Sequence, residues 1–110
     1  MGKIIEANGT EVEEIIKEEN NLVLLDFYAN WCGPCKALSP VLQKVSEEVE
    51  DVTIIKVNVD NSENHSLSSE YGVRGIPAVF VLKEGQEVDK FMGLKTKDYV
   101  LNLINENSSE

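Results

Sequence analysis

The chain has 110 residues, a formal net charge of -10 and 42% hydrophobic residues. That length and apolar content predict one domain, residues 1–110, with a genuine core. The acidity argues against nucleic acid and anionic membranes as partners and fits a well-solvated surface. The apolar runs are strand-sized and no signal peptide is visible, so we expect a cytoplasmic protein without a membrane span.

The first half of the chain predicts alternating strands and helices. A short strand at residues 3–6 is followed by residues 10–13, which fit a capping box that opens a helix. Residues 22–29 are apolar on both alternating faces apart from Asp26, which indicates a central strand covered on both sides. Helical spacing of apolar residues then runs from 38 to 49.

The second half predicts three more strands. Residues 52–59 form another buried strand, and a short helix after it ends at Gly72, a residue suited to the position beyond a helix end. A third core strand covers residues 78–82, and the turn at residues 83–86 leads back through a strand at residues 87–92. The last two of these strands therefore form a hairpin.

Thr96 is predicted to cap a final helix, and residues 105–110 are predicted to fray. Four residues of this helix are expected to face the core: Tyr99, Val100, Leu103 and Ile104. The element order is then βαβαβαββα, which predicts an α/β fold with a mixed five-stranded sheet flanked by four helices.

The two cysteines of the chain, Cys32 and Cys35, are separated by Gly33 and Pro34. If a helix starts at this dipeptide, the spacing places both sulfurs on one face, within reach of a disulfide. The helix start offers unpaired N–H groups that favour a thiolate. We therefore predict a redox site with Cys32 as the partly exposed nucleophile and Cys35 as the more buried resolving thiol.

Two other interpretations of the cysteine pair carry less weight. A structural disulfide closing so short a loop would constrain the unfolded chain little. Half of a zinc site would need further ligands, and the distant His65 does not complete a set of four. We accordingly expect no metal and no bound cofactor.

Three residues near the motif permit two interpretations each. Asp26 is either a buried carboxylate with a raised pKa or a strand-end residue turned to solvent. Lys56 is either a neighbour of such a carboxylate or an edge-strand lysine that extends outward. Trp31 is either ordinary core or a cover for the thiols that contacts partners.

The chain resembles the thioredoxin family along nearly its whole length. The segments that carry the resemblance are residues 26–29 (Asp-Phe-Tyr-Ala), 31–36 (Trp-Cys-Gly-Pro-Cys-Lys), Pro40, 56–60 (Lys-Val-Asn-Val-Asp), 71–77 (Tyr-Gly-Val-Arg-Gly-Ile-Pro) and Gly93. Trp-Cys-Gly-Pro-Cys-Lys with a downstream Gly-Ile-Pro is very specific, whereas Cys-x-x-Cys alone is weak. The resemblance implies a thioredoxin fold and a cytosolic protein-disulfide reductase recharged by a flavin-dependent reductase, linked to NADPH or ferredoxin. Monomer is the default expectation.

The resemblance also implies roles for single residues. Asp26 becomes a buried proton carrier for Cys35, tuned by Lys56, and Asp60 holds the indole N–H of Trp31. Pro77 is implied to be cis beside the cysteines, with the backbone of Ile76 pairing with the substrate chain. A small apolar surface around the sulfurs is implied to bind substrate, formed by Trp31, Gly33, Gly75, Ile76, Pro77, Met92, Gly93 and Leu94.

Three positions depart from the family pattern. Tyr28 stands where Trp is frequent, and we expect it to change packing only. Asn30 replaces a more usual Glu, Pro or Lys, and Ala78 a more usual Thr, so partner preference stays open. The Gly33-Pro34 dipeptide favours a reductant over an oxidant or isomerase. A non-enzymatic binding module remains an alternative.

Overall fold

Five strands and four helices make up the part of the chain described by the computed structural model, residues 2–108. The strands are β1 (Lys3–Glu6), β2 (Leu22–Tyr28), β3 (Val52–Asn58), β4 (Ala78–Lys83) and β5 (Gln86–Met92). The helices are α1 (Thr10–Glu18), α2 (Gly33–Glu48), α3 (His65–Glu70) and α4 (Lys97–Ser108), with a 3₁₀ turn (Ser62–Asn64) before α3. None of the helices described is long and apolar enough to cross a membrane.

The strands form one sheet in the order β1-β3-β2-β4-β5. The first three are parallel, because helical crossovers connect them, and β4 and β5 add antiparallel neighbours. Glu84 and Gly85 take positive φ angles of 52° and 80° in the tight turn between β4 and β5. The predicted mixed five-stranded sheet with four flanking helices is confirmed.

Both faces of the sheet are covered by apolar clusters. On one face, Leu24 and Ile54 pack with side chains of α2 and α4. On the other face, Leu25, Phe27 and Phe80 pack with side chains of α1 and α3. The central strand β2 contributes to both clusters, as its two-sided apolar pattern predicts, and it ends directly before the cysteine motif.

The predicted capping box at the start of α1 is wrong. Thr10 is already inside the helix, and Gly9 is the N-cap, at φ 58°. No side chain caps the first turn of α1; instead the Gly9 N–H donates to Oδ1 of the buried Asn64, 2.7 Å away. Glycine tolerates this left-handed backbone, so the chain enters the helix one residue earlier than a capping Thr10 would allow.

The last helix differs from the prediction in two ways. Thr96 caps α4 as predicted, since its Oγ1 accepts from the Tyr99 N–H at 3.1 Å. The ring of Tyr99, however, is exposed and contacts Phe91 at the rim of the core, so its predicted inward position is wrong. Residues 105–108, which are predicted to fray, are helical in the structure, since α4 continues to Ser108. The Asn107 side chain holds this end, donating to Asp89 Oδ2 at 3.1 Å; residues 109–110 lie outside the described residues.

Candidate active site

The cysteine motif lies at the junction of β2 and α2. Cys32 is the N-cap of α2, and Pro34 occupies the first turn, where its missing N–H costs nothing. Cys32 and Cys35 are joined by a disulfide, with their Cα atoms 5.2 Å apart. The Cys35 N–H donates to the Cys32 sulfur at 3.2 Å, so the sulfur takes the place of a capping oxygen. The predicted pairing and helix start are thus both observed.

Both cysteine residues are almost fully buried in this oxidised state. Cys32 is 5% exposed and Cys35 is 7% exposed, so the prediction of a more exposed Cys32 is wrong for the disulfide form. The cause is the loop before β4, since Ile76 packs on the pair and its carbonyl oxygen lies 3.8 Å from the Cys32 sulfur.

The loop before β4 has the geometry that the family resemblance implies. The peptide bond between Ile76 and Pro77 is cis. The Pro77 carbonyl accepts from the Gly93 N–H at 2.9 Å, which brings the end of β5 beside this loop. Residues far apart in sequence therefore meet next to the disulfide.

Two grooves flank the loop before β4, whose Ile76 packs on the cysteine pair. One, of about 690 Å³, is lined by residues that include Trp31, Val59, Val73 and Ile76. The other, of about 380 Å³, is lined in part by Pro77, Met92 and Gly93. Most of the predicted apolar surface is thus assembled, with Gly75 and Ile76 common to both grooves. Leu94 is exposed and lines neither groove, while Gly33 lies exposed at the start of α2.

Trp31 is a surface residue. Its side chain is 69% exposed, which rules out the interpretation as ordinary core. The indole Nε1–H donates to Asp60 Oδ2 at 2.8 Å, as the resemblance implies. The bond fixes a large apolar ring at the rim of the larger groove.

Asp26 is buried inside the sheet. The residue is 3% exposed, and its Oδ1 has no hydrogen-bond partner among the described residues. Burial raises the pKa of Asp26 to about 6, although the positive charge of Lys56 opposes the rise. The buried interpretation of Asp26 is confirmed, and the solvent-facing one is wrong.

Lys56 lies directly opposite Asp26 on the neighbouring strand β3. Because β3 runs between β1 and β2, the interpretation as an edge-strand lysine is wrong. Its Nζ lies 3.4 Å from Ser39 Oγ and 4.6 Å from the centroid of the Tyr28 ring. The lysine also lines a cleft of about 410 Å³ together with Cys35 and Lys36.

Tyr28 does more than change packing. Its ring faces the Lys56 ammonium, and its hydroxyl donates to Glu6 Oε2 on β1. Burial, together with the hydrogen bond and charge of Glu6, raises the pKa of Tyr28 above its usual value. Sequence reasoning missed Glu6 and Ser39 altogether; the one signal for Glu6 is its register opposite Lys56, which requires the strand pairing.

No group of three or more His, Cys, Asp or Glu side chains in the described part of the chain is arranged to hold a metal ion. His65 is exposed and lies at the edge of the larger groove. A ring closed by cysteines three positions apart adds little stability. The chemistry that such a pair does support is exchange with another disulfide, which defines the class as a thiol–disulfide oxidoreductase.

Comparisons with known proteins extend this assignment. The sequence model of the family described as Thioredoxin matches residues 3–106. A thioredoxin from Chlamydia caviae is 49% identical over 87 residues, which are 79% of this chain and 83% of the relative. The chain belongs to the thioredoxin family, and it carries out dithiol–disulfide exchange through the Cys32–Cys35 pair.

Solved structures agree with the fold. Thioredoxin F from spinach chloroplast, in its short form, matches with a TM-score of 0.89 and 38% identity, covering 98% of this chain and 96% of that one. A mutant thioredoxin from Halobacterium salinarum NRC-1 matches with a TM-score of 0.88 and 37% identity, covering 98% and 93%. The five-stranded mixed sheet with four helices is therefore the thioredoxin fold.

Proposed function

We propose that the protein is a protein-disulfide reductase in which Cys32 attacks and Cys35 resolves. The observation that carries the assignment is the hydrogen bond from the Cys35 N–H to the Cys32 sulfur at 3.2 Å. In the reduced protein the same N–H, with the N-terminal end of α2, stabilises a thiolate on Cys32. Thioredoxins are themselves among the proteins in which a Cys-x-x-Cys thiol is known to have a lowered pKa.

The proposed reaction has two exchange steps. The Cys32 thiolate attacks one sulfur of a substrate disulfide, forms a mixed disulfide and expels the other substrate sulfur as a thiolate. Cys35 then loses its proton and attacks the Cys32 sulfur, which releases the second substrate sulfur. The substrate gains two electrons, and the protein is left with the Cys32–Cys35 disulfide that the structure contains.

Asp26 is proposed to accept the proton of Cys35. A carboxyl group with a pKa of about 6 is largely ionised at neutral pH, yet it holds a proton far more readily than an ordinary aspartate. The cleft that Lys56 and Cys35 line has space for water between these two residues and solvent. Lys56 is proposed to limit the rise in the pKa of Asp26.

The substrate chain is proposed to dock along the grooves beside the disulfide. The Ile76 backbone would pair with an extended substrate segment, and Trp31 would pack on its side chains. Asp60 supports the process by holding the indole in place. Gly33 and Gly75, which lack side chains, leave the approach open. Pro77, Met92, Gly93 and Leu94 would form the remaining apolar contacts.

The partners follow from the same chemistry. We propose disulfide-containing proteins as substrates and a flavin-dependent thioredoxin reductase, linked to NADPH or ferredoxin, as the electron donor. The protein would work as a cytoplasmic single-domain monomer, with the dithiol as its redox group and no bound cofactor or metal. Its net charge of -10 argues against nucleic-acid and membrane partners.

The assignment is tested by insulin reduction driven by dithiothreitol. Wild-type protein is expected to accelerate the reaction, and Cys32→Ser and Cys35→Ser are each expected to abolish the acceleration. The two variants form a matched pair, since only Cys35→Ser retains the attacking sulfur and should accumulate mixed disulfides. Trapping by Cys32→Ser instead would reverse the roles, and a double Cys→Ser protein that still complemented every cellular role would point to a non-enzymatic binding module.

The direction of electron flow needs a separate measurement. Gly33-Pro34 favours a reductant, so equilibration with glutathione buffers should give a reduction potential at or below that of the cytosolic pool. A potential well above that pool would indicate an oxidant or an isomerase.

A further inference from the structure

Three charged residues stand side by side across the parallel part of the sheet. Lys56 on β3 is at the same register as Glu6 on β1 and Asp26 on β2. Residues at matched positions of neighbouring strands point to the same face of the sheet. A single ammonium group is therefore placed in register between two carboxylates. Its distance from each carboxylate affects how strongly it stabilises the negative charge of that carboxylate.

The contacts of Lys56 are not symmetric. Its Nζ lies over the ring of Tyr28, 4.6 Å from the centroid, and next to Ser39 on α2. Tyr28 is two residues beyond Asp26 on β2, so the two side chains share a face. The ammonium is thus held by Tyr28 and Ser39, in register with Asp26 and close enough for its charge to oppose the rise in the pKa of that carboxyl.

Glu6 is engaged by the same tyrosine. The Tyr28 hydroxyl donates to Glu6 Oε2, which provides that carboxylate with a partner other than Lys56. A hydroxyl bonded to a carboxylate also makes the ring more electron-rich, which strengthens its attraction for a cation over its face. Tyr28 therefore binds the carboxylate of Glu6, which competes with Asp26 for Lys56, and holds the Lys56 ammonium at the same time.

We propose that Tyr28 is a positioning residue for the proton carrier. By bonding Glu6 and by placing its ring under Lys56, it keeps the ammonium beside Asp26 and so sets the pH at which Asp26 gains and loses its proton. The consequence for turnover depends on the role proposed for Asp26 above, but the effect on Asp26 itself does not.

The charged and titratable groups around Asp26 come from four elements. They are Tyr28 on β2, Lys56 on β3 and Glu6 on β1 beyond it, with Cys35 and Lys36 lining the cleft from α2. Strand β4 faces Asp26 with the apolar Val79. Lys56 is the cation aligned with Asp26 in the sheet, so its position is expected to have the largest effect.

The test is a titration of Asp26 in the oxidised protein, followed by the carboxyl ¹³C shift in NMR. The wild type is compared with Tyr28→Phe, Glu6→Gln and the double variant. In Tyr28→Phe the freed Glu6 should attract Lys56, and the midpoint of Asp26 should rise by about half to one pH unit. In the Glu6→Gln background there is no competing charge, and the same substitution should move the midpoint by less than half as much.

Either of two results overturns the proposal: an unchanged midpoint in Tyr28→Phe, or an equal rise with and without Glu6. The second result would mean that the tyrosine only supports packing. Glu6 is exposed, so the Glu6→Gln variant is expected to fold. The effect of Tyr28→Phe can therefore be compared with and without the Glu6 charge. The pH profile of insulin reduction is then recorded. If Asp26 moves and the profile does not, the positioning role stands and the role of Asp26 as a proton carrier fails.

Discussion

The amide of Cys35 donates to the sulfur of Cys32 across 3.2 Å, within the first turn of α2. Cys32 thus serves both as the N-cap of the helix and as one half of the redox pair. Reduction of the disulfide leaves this amide facing a sulfur that can carry a full negative charge. The start of α2 is therefore stabilised by the same contact that is proposed to activate Cys32 as the nucleophile.

The first prediction concerns the reactivity of the two thiols. In the reduced protein, Cys32 should be alkylated by iodoacetamide at least tenfold faster than Cys35 at pH 7, because the N–H groups at the start of α2 stabilise its thiolate. The rate for Cys32 should also reach half its maximum below pH 8.5, the approximate value for free cysteine. Mass spectrometry of quenched samples measures both rates. Equal and slow labelling of both sulfurs would contradict the prediction.

The second prediction concerns stability and pH. The pKa of Asp26 is raised from 3.8 to about 6 on folding, so the folded state holds the proton more tightly than the unfolded state does. The contribution of Asp26 to stability is greatest below pH 3.8 and is lost as the pH rises to about 6. Asp26→Asn should therefore stabilise the oxidised protein at pH 7.5 by ~3 kcal/mol, and by much less at pH 3.5.

Urea unfolding at the two pH values measures this difference. Asp51→Asn is the matched control, because Asp51 is exposed in the turn before β3 and should change stability little at either pH. An Asp26→Asn gain of equal size at both pH values would show that packing, not ionisation, is responsible.

The third prediction concerns Trp31, the single tryptophan of the chain. Asp60→Ala removes the acceptor of its indole N–H, so the time-resolved fluorescence anisotropy of Trp31 should decay faster. The kcat/KM for insulin should fall by about fivefold, which corresponds to the loss of one hydrogen bond of ~1 kcal/mol. Asp60→Asn keeps an acceptor oxygen and should resemble the wild type in both measurements. Unchanged anisotropy in Asp60→Ala would refute the proposed anchoring.

The fourth prediction concerns Asn64, which is fully buried. Its side chain accepts from the Gly9 N–H at 2.7 Å and donates to the Asn58 carbonyl at 2.9 Å. Asn64→Ala would leave both of these part-buried backbone groups without their partner and should cost about 2–4 kcal/mol of unfolding free energy in urea.

Asn61→Ala is the control for this effect. Asn61 makes a local bond to the Glu63 N–H at 2.9 Å at the surface, so its loss should cost about 1 kcal/mol. Similar costs for the two variants would show that the burial of Asn64 does not matter.

Periodicity was sufficient for most of the fold. The strands β2 and β3 are predictable because a strand buried on both faces must be apolar throughout, and α2 because its apolar residues recur at helical spacing. The start of α1 was not predictable, since its entry depends on Gly9 and on a hydrogen bond to Asn64, 55 positions away. Local patterns carry no information about partners at that separation.

The candidate site was also predictable from the sequence only in part. The proximity of Cys32 and Cys35 follows from their spacing at a helix start, whereas the cis bond at Pro77 came from family resemblance alone. The contact between Tyr28 and Glu6 was missed because it exists only once β1, β3 and β2 are aligned. A substitution of Tyr for Trp appears conservative in the sequence, yet it introduces a hydroxyl with a specific partner.

The cover that Ile76 provides over the sulfurs determines which reductants can use them. Exchange requires an incoming thiolate to reach a sulfur, and a small thiol in solution gains no binding energy on the way to Cys32, a residue that is only 5% exposed. An extended polypeptide can first be held along the flanking grooves, so its thiolate arrives at high local concentration. Protein thiols are therefore expected to exchange with this disulfide faster than small thiols of similar potential, although a small dithiol in excess can still reduce it.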